Sequence, residues 1–134
     1  MQEIFDFFKK DRFAEFCGIE LTQIRPGYAE AQLDLQARHL NGVGTAHGGL
    51  LFTLADLAFA AACNSDGQVA VAINASINFV RPASKGLLTA VARQCSGPGK
   101  VSSYRVDVTD AAGRVVASFQ GLAYKKGMAL SDVP

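Results

Sequence analysis

Between Tyr28 and Leu35 apolar and polar positions alternate. Ala29, Ala31, Leu33 and Leu35 fall on one face and Glu30, Gln32 and Asp34 on the other, the period of a half-buried strand. Residues 19–24 read as a second strand, closed by the turn signal Arg25-Pro26-Gly27. The chain opens with a different period. Phe5, Phe8, Phe13 and Phe16 recur at near-helical spacing with charges between them, which predicts an amphipathic N-terminal helix within residues 1–16, its pattern starting at Gln2. Residues 36–46 show no period and read as a loop. Beyond residue 66 strand-like stretches return four times, at about 68–80, 86–96, 101–110 and 114–125. Val106, Val108, Val115, Val116 and Phe119 supply β-propensity there. Ser96-Gly97-Pro98-Gly99 and Asp110-Ala111-Ala112-Gly113 mark the turns. Residues 127–134 read as a frayed tail.

Residues 47–65 are the unusual segment. Ala and Leu dominate them, both strong helix formers, and the apolar positions run nearly all the way round. A helix with no polar face is buried on every side. One helix, two strands, one fully buried helix and four consecutive strands, joined by short turns, predict an α+β fold. In it an antiparallel β-sheet wraps around one long central helix.

Composition narrows the functional classes. The 134 residues amount to one domain, 1–134, without repeat or linker. With 49% hydrophobic and 19% charged residues the chain is not a disordered one. A formal net charge of +1 leaves no global basic field for nucleic acid. The longest apolar run, Leu50–Cys63, is interrupted by Thr53 and Asp56 and is shorter than the roughly 20 residues a bilayer core demands, so no membrane span is expected. No Lys/Arg-led apolar leader with a cleavage site opens the sequence. Cys17, Cys63 and Cys95 are odd in number and share no CxxC spacing, which fits reduced thiols in a cytoplasmic protein.

One residue breaks the apolar pattern with a charge. Asp56 is the only charged side chain between His47 and Ser65, and an unpaired carboxylate inside such a helix is costly to bury. It either reaches solvent, caps a neighbouring element, or is kept for chemistry. The same helix begins His47-Gly48-Gly49, where unpaired first-turn N–H groups and the positive end of the macrodipole could polarise a carbonyl. Glycine there lets a substrate oxygen approach the backbone, although a plain loop-to-helix junction has the same sequence. Gly48 and Asp56 share a helix face roughly 12 Å apart. A base and an oxyanion donor serving one carbonyl must both come within about 3 Å of the reacting atoms. One helix cannot achieve that. Two copies running antiparallel across a two-fold axis could, which predicts a site shared between subunits of a dimer. Asn41 could orient a carbonyl or a water, or could be only the turn residue of Asn41-Gly42. His39 and His47 with Asp56 match no zinc spacing, so no metal and no cofactor is expected. A Ser or Cys nucleophile has little support: no G-x-S-x-G occurs, and the apolar surroundings of Cys63 would raise its pKa.

Three motifs together are more specific than any one of them. Asn41-Gly42-Val43-Gly44-Thr45-Ala46-His47-Gly48-Gly49, then Leu54-Ala55-Asp56, then Asn78-Phe79-Val80-Arg81-Pro82 resemble the PaaI-type hotdog-fold acyl-CoA thioesterases, the phenylacetate-degradation thioesterase family, over residues 35–126. The resemblance implies the hotdog fold, dimers with a continuous sheet and commonly homotetramers, and hydrolysis of an acyl-CoA thioester, with phenylacetyl-CoA-type substrates among the candidates. It assigns Asp56 as general base or nucleophile, Gly48 as the N–H that polarises the carbonyl, Asn41 as a polar group on that carbonyl or the water, and His47 as a substrate contact. For the CoA portion it points to Asn74, Phe79, Gly99, Lys100, Val101, Ser102 and Lys126. Lys100 beside a turn's exposed amides suits a phosphate, though a solvated hairpin tip explains it equally. The sequence departs from the family where relatives place a Ser or Thr after the central helix. Here stand Ala70, Val71 and Ala72, with Asn74 the nearest polar residue. Two other functions stay open at this point: a hotdog hydratase acting on an enoyl or 3-hydroxyacyl thioester, and a non-catalytic acyl-CoA-binding protein.

Overall fold

A computed structural model describes residues 1–97 and 99–134; Pro98, part of the turn predicted at Ser96–Gly99, lies outside the described residues. Six antiparallel strands form one sheet: β1 (Glu20–Arg25), β2 (Tyr28–Leu35), β3 (Gln68–Phe79), β4 (Gly86–Ser96), β5 (Val101–Thr109) and β6 (Val115–Ala129), in the spatial order β1-β2-β4-β5-β6-β3. This is the antiparallel sheet around one central helix that the strand-rich, helix-poor pattern predicts, and the arrangement that the resemblance implies. Alternation in β2 is realised: Ala29, Ala31 and Leu33 are buried while the residues between them are partly or wholly exposed.

The buried faces of the strands meet the central helix α3 (Gly48–Cys63). Leu54, Ala55, Ala58, Phe59, Ala61 and Ala62 of that helix are almost wholly excluded from water. Small residues in α3 let the sheet close onto it, and large ones fill what remains. The Phe59 ring stacks edge-on to Tyr104 and tilts against Phe119. It also lies so close to the β6 backbone that a Cβ at Gly121 would come within 2.8 Å of its Cζ. The C-terminal end of α3 is tied to β3 by Asn64. Its amide nitrogen donates to the carbonyls of Ala60 (2.7 Å) and Ala70 (3.2 Å), and its oxygen accepts the Ala70 N–H (2.8 Å).

Three expectations need correction. The N-terminal helix is two helices, α1 (Gln2–Phe8) and α2 (Arg12–Cys17). Asp11 ends the first run because its side chain accepts the Ala14 N–H at 3.0 Å, a better use of an aspartate than a helix interior. Phe5 and Phe8 pack on the core, but the break turns Phe13 and Phe16 outward, 60% and 73% exposed. The tail is not frayed from Gly127. The strand β6 continues to Ala129, and Leu130 is buried with its N–H on the Gly67 carbonyl at 2.8 Å. Finally, one chain does not bury α3 all round. Gly49, Phe52, Thr53, Asp56 and Ala60 form a helical stripe that stays partly or wholly exposed, because the sheet covers only the other flanks.

Phe59 is 1% exposed and cannot swing aside. Gly121→Ala therefore overpacks the centre and is expected to lower unfolding free energy by about 1–3 kcal/mol, read as a reduced urea midpoint at unchanged slope.

Candidate active site

The loop before α3 is built first. His39 is buried, its Nδ1 accepting the Gln36 N–H at 2.9 Å and its Nε2 within 2.8 Å of the Cys17 carbonyl, so it joins the loop to the end of α2. The His39 carbonyl then accepts the His47 N–H at 2.9 Å, and the Ala46 N–H reaches the Ala83 carbonyl at 2.7 Å. These bonds fix where α3 starts.

At that start the orphan amides of the first turn can be assigned one by one. Leu50 and Leu51 donate to the His47 carbonyl at 3.0 and 3.1 Å. Gly49 donates to the His47 ring Nδ1 at 2.9 Å, making His47 the N-cap. Among the described residues only the Gly48 N–H of this turn is left without a partner. The sequence pointed to Gly48. It did not reveal that the neighbouring histidine disposes of the competing amide. That ring nitrogen, used as an acceptor, leaves the proton on Nε2. Phe79, at the end of β3, lies against the same corner, and a Cβ on Gly48 would approach its ring at 3.1 Å.

Asp56 lies two turns further along, part-buried on the stripe the sheet leaves open. Among the described residues it forms no ion pair. Burial pushes its carboxyl above the ordinary 3.8, and the field of the Asp11 carboxylate pushes the same way. Asp11, at the head of α2, is the charge that sequence reasoning missed, since nothing in the spacing announces its field at a residue 45 positions away. Thr53, also on the stripe, donates its hydroxyl to the Gly49 carbonyl at 2.7 Å. The Cys63 thiol is buried and pushed up to about 12, as expected for a residue with no nucleophilic role.

The remaining candidates divide into three places. Asn41 shapes its own turn: its oxygen accepts the Val43 and Thr45 N–H groups, both at 3.1 Å, and its nitrogen donates to the Thr45 hydroxyl at 3.0 Å. One N–H of that amide is left over. Gly99, Lys100, Val101, Ser102 and Lys126 gather at the opposite end of the sheet, where Val101 pairs with Tyr124 and Ser102 with Ala123. Lys100 lies 5.9 Å from the Tyr124 ring centroid, and Ser102 is buried. Val71 also pairs with Tyr124, and Phe79 is eight residues further on, so roughly 26 Å of strand separates Phe79 from the Lys100 end within one chain. Asn74 stands apart from both. It pairs with Leu122 on the outer face, beside Ser76 and Gln120, while Gly121 faces Phe59 inside. A bulge between Ala72 and Asn74 shifts the alternation and turns Asn74 away from α3, so it does not supply the missing Ser/Thr role there.

Comparison with known proteins gives a consistent result. Residues 43–117 match the family model described as "Thioesterase superfamily". The acyl-coenzyme A thioesterase PaaI of Escherichia coli is 36% identical over 90% of this chain and 86% of its own. The crystal structure of the E. coli PaaI protein, from the phenylacetic acid degradation operon, superposes with a TM-score of 0.91 at 34% identity, covering 96% of this chain and 94% of that one. A hypothetical thioesterase from Streptococcus pneumoniae TIGR4, solved with coenzyme A, superposes with a TM-score of 0.83 at 27% identity, covering 92% and 97%.

The raised carboxyl of Asp56 has a consequence for stability. A group whose folded pKa exceeds its unfolded value lowers stability once pH rises above the unfolded value, because the fold holds the proton more tightly than the open chain. Asp56→Asn is therefore expected to melt at a higher temperature than wild type at pH 7, with the difference shrinking towards about pH 3, where both states are largely protonated. Thermal melts at the two pH values check this.

Proposed function

The chain belongs to the thioesterase superfamily, in its PaaI-type branch, and on that premise we propose an acyl-CoA thioesterase whose active site is completed by a second copy of the chain. The observation that carries this reading is that, among the described residues, the Gly48 N–H has no partner and Asp56, on the same helix, has no ion pair. One is a free donor for an oxyanion and the other a free base.

In the proposed reaction Asp56 takes a proton from water as the water oxygen bonds to the thioester carbon. The C=O π electrons move onto the oxygen, which the Gly48 N–H of the partner subunit's helix holds. On collapse the C–S bond breaks, and the sulfur leaves as the CoA thiol with the proton returned by Asp56. The products are one carboxylic acid and one CoA. A positioned base contributes about 10²–10⁴-fold and one aimed oxyanion donor about 10²–10³-fold. A carboxyl whose pKa is raised is a stronger base than an ordinary aspartate, so the acid limb of kcat/KM is expected higher than an ordinary aspartate would set it. In this reading His47 orients the helix start as its cap and Asn41 offers its spare N–H to the carbonyl or the water.

Pairing across β3 supplies the second copy. This strand is the sheet edge, twelve residues long, with Val71 and Ile73 exposed. Antiparallel pairing of two β3 edges makes a continuous sheet and sets the two α3 helices side by side, head to tail. It carries the Lys100–Val101–Lys126 end of one chain to the Gly48–Phe79 corner of the other, so that Phe79 and the lysines flank one CoA. A homotetramer of such dimers, an arylacetyl-CoA substrate from phenylacetate breakdown and a cytoplasmic location complete the proposal. The location agrees with three free cysteines, and among the described residues no helix is long and apolar enough to cross a membrane.

Free-thiol release from a panel of acyl-CoAs tests the reaction. Asp56→Asn and Asp56→Ala are expected to lower kcat by 10²-fold or more in folded protein; wild-type turnover by Asp56→Asn would remove the base from the mechanism. Ile73→Lys tests the shared site, since it sets like charges near one another across the paired edges. Light scattering should report monomers, and those monomers should have lost activity. A fully active monomer contradicts the shared site.

A further inference from the structure

Between α1, α2, the start of β1 and the side of α3 lies a hollow of about 520 Å³, within the range of small-molecule sites. Its wall is apolar: Phe5 and Phe8 from α1, Ile19 and Leu21 before and within β1, and Leu57 from α3. Leu57 brings the central helix into its wall. A larger hollow, of about 610 Å³, is lined instead by polar side chains such as Gln32, Asp34, Gln36 and Arg38.

Two features join this hollow to the reacting end of the molecule. Leu57 directly follows Asp56, and the Asp11 carboxylate on the rim is the charge whose field reaches Asp56. The rim is acidic. Asp11, Glu15 and Glu20 stand around it, and its one cation, Lys9, is 3.4 Å from Asp6, which lies outside the lining.

We infer that this hollow under the N-terminal helices is the acyl chamber, and that it takes a neutral apolar acyl group, aryl or alkyl, while rejecting one that ends in a carboxylate. The inference rests on the thioesterase reading above and deepens it. The apolar wall desolvates hydrocarbon at a gain of about 25 cal/mol per Å². A second carboxylate on the acyl group would be brought among three others, and like charges at close range oppose binding. The N-terminal helices are thus a specificity element, and Phe5, Phe8 and Leu21 set the shape of what fits.

The test is a comparison of kcat/KM for acetyl-, octanoyl-, phenylacetyl- and succinyl-CoA by thiol release. Wild type is expected to favour octanoyl- or phenylacetyl-CoA over succinyl-CoA by 10-fold or more. Leu21→Trp fills the hollow and should lower the octanoyl-to-acetyl and phenylacetyl-to-acetyl ratios at least 10-fold, mainly through KM. Glu15→Lys changes an exposed rim residue and should raise the succinyl-to-octanoyl ratio several-fold, so the question is decided even if Leu21→Trp does not fold. Unchanged ratios in both folded variants, or in Glu15→Lys alone if only it folds, overturn the chamber while leaving the thioesterase standing. A wild type that releases thiol from none of the four overturns the thioesterase reading and the chamber with it.

Discussion

A rigid helix cannot aim its own first amide and a side chain two turns later at one atom. The rise of 1.5 Å per residue keeps Gly48 and Asp56 roughly 12 Å apart along the axis. Nothing in the protein relaxes that distance. His47 caps the start of α3, Asn64 ties its end to β3, and Ala55, Ala58, Ala61 and Ala62 seat its middle flat on the sheet. The rest of the functional reading follows from this constraint. If both groups act on one carbonyl, they belong to different copies, and the proposed dimer would use the edge of the sheet and the open stripe of α3 as its surfaces.

The treatment of polar groups in the interior supports giving Asp56 a chemical role. Where the fold buries polarity for structure, it satisfies it. His39 uses both ring nitrogens, and Asn64 uses its oxygen and its nitrogen on three backbone groups. Asp56 instead lies part-buried on the open stripe of α3, without an ion pair among the described residues, and the charge that acts on it, Asp11, is of the same sign. A structural carboxylate would have gained from a lysine, an arginine or a free amide within reach. This one is held in a state that costs stability and raises basicity, the combination expected where a general base works.

Much of this was legible in the sequence, and the reasons differ from residue to residue. The strands and α3 were readable because their signals are periodic and long, and because Ala-rich apolar composition at 47–65 has few other uses. Gly48 and Asp56 were readable as a pair because helical spacing converts sequence distance into ångströms. The break at Asp11 was not read, although Asp is a strong N-cap, because the phenylalanines keep near-helical spacing across it. The tail was misread because burial of Leu130 depends on Gly67, 63 positions earlier, and no local pattern carries such a contact. The face on which Asn74 lies was not legible, because it is set by a single-residue bulge, and one slipped position reverses every later side chain in a strand. Pairwise facts at long range, such as the field of Asp11 at Asp56, have no periodic signature.

The two edges of the sheet differ in a way that bears on assembly. At one edge β1 is six residues long, carries Glu20 and Arg25, and is kinked between Leu21 and Gln23. Short length, charge and a bulge are the devices by which edge strands avoid pairing with other chains. At the other edge β3 runs for twelve residues, Gln68–Phe79, with no charged residue and no proline. Ile73 and Phe79 are more than half exposed on it, at 53% and 58%. Its irregularities lie against β6 and leave a run from Asn74 to Phe79 in regular register. An edge so long and uncharged is an aggregation hazard in a monomer, but in a dimer it is the seam of one continuous sheet. Because β3 also ends at Phe79, beside Gly48, pairing there in the proposed dimer would protect the edge and bring the second copy to the proposed site.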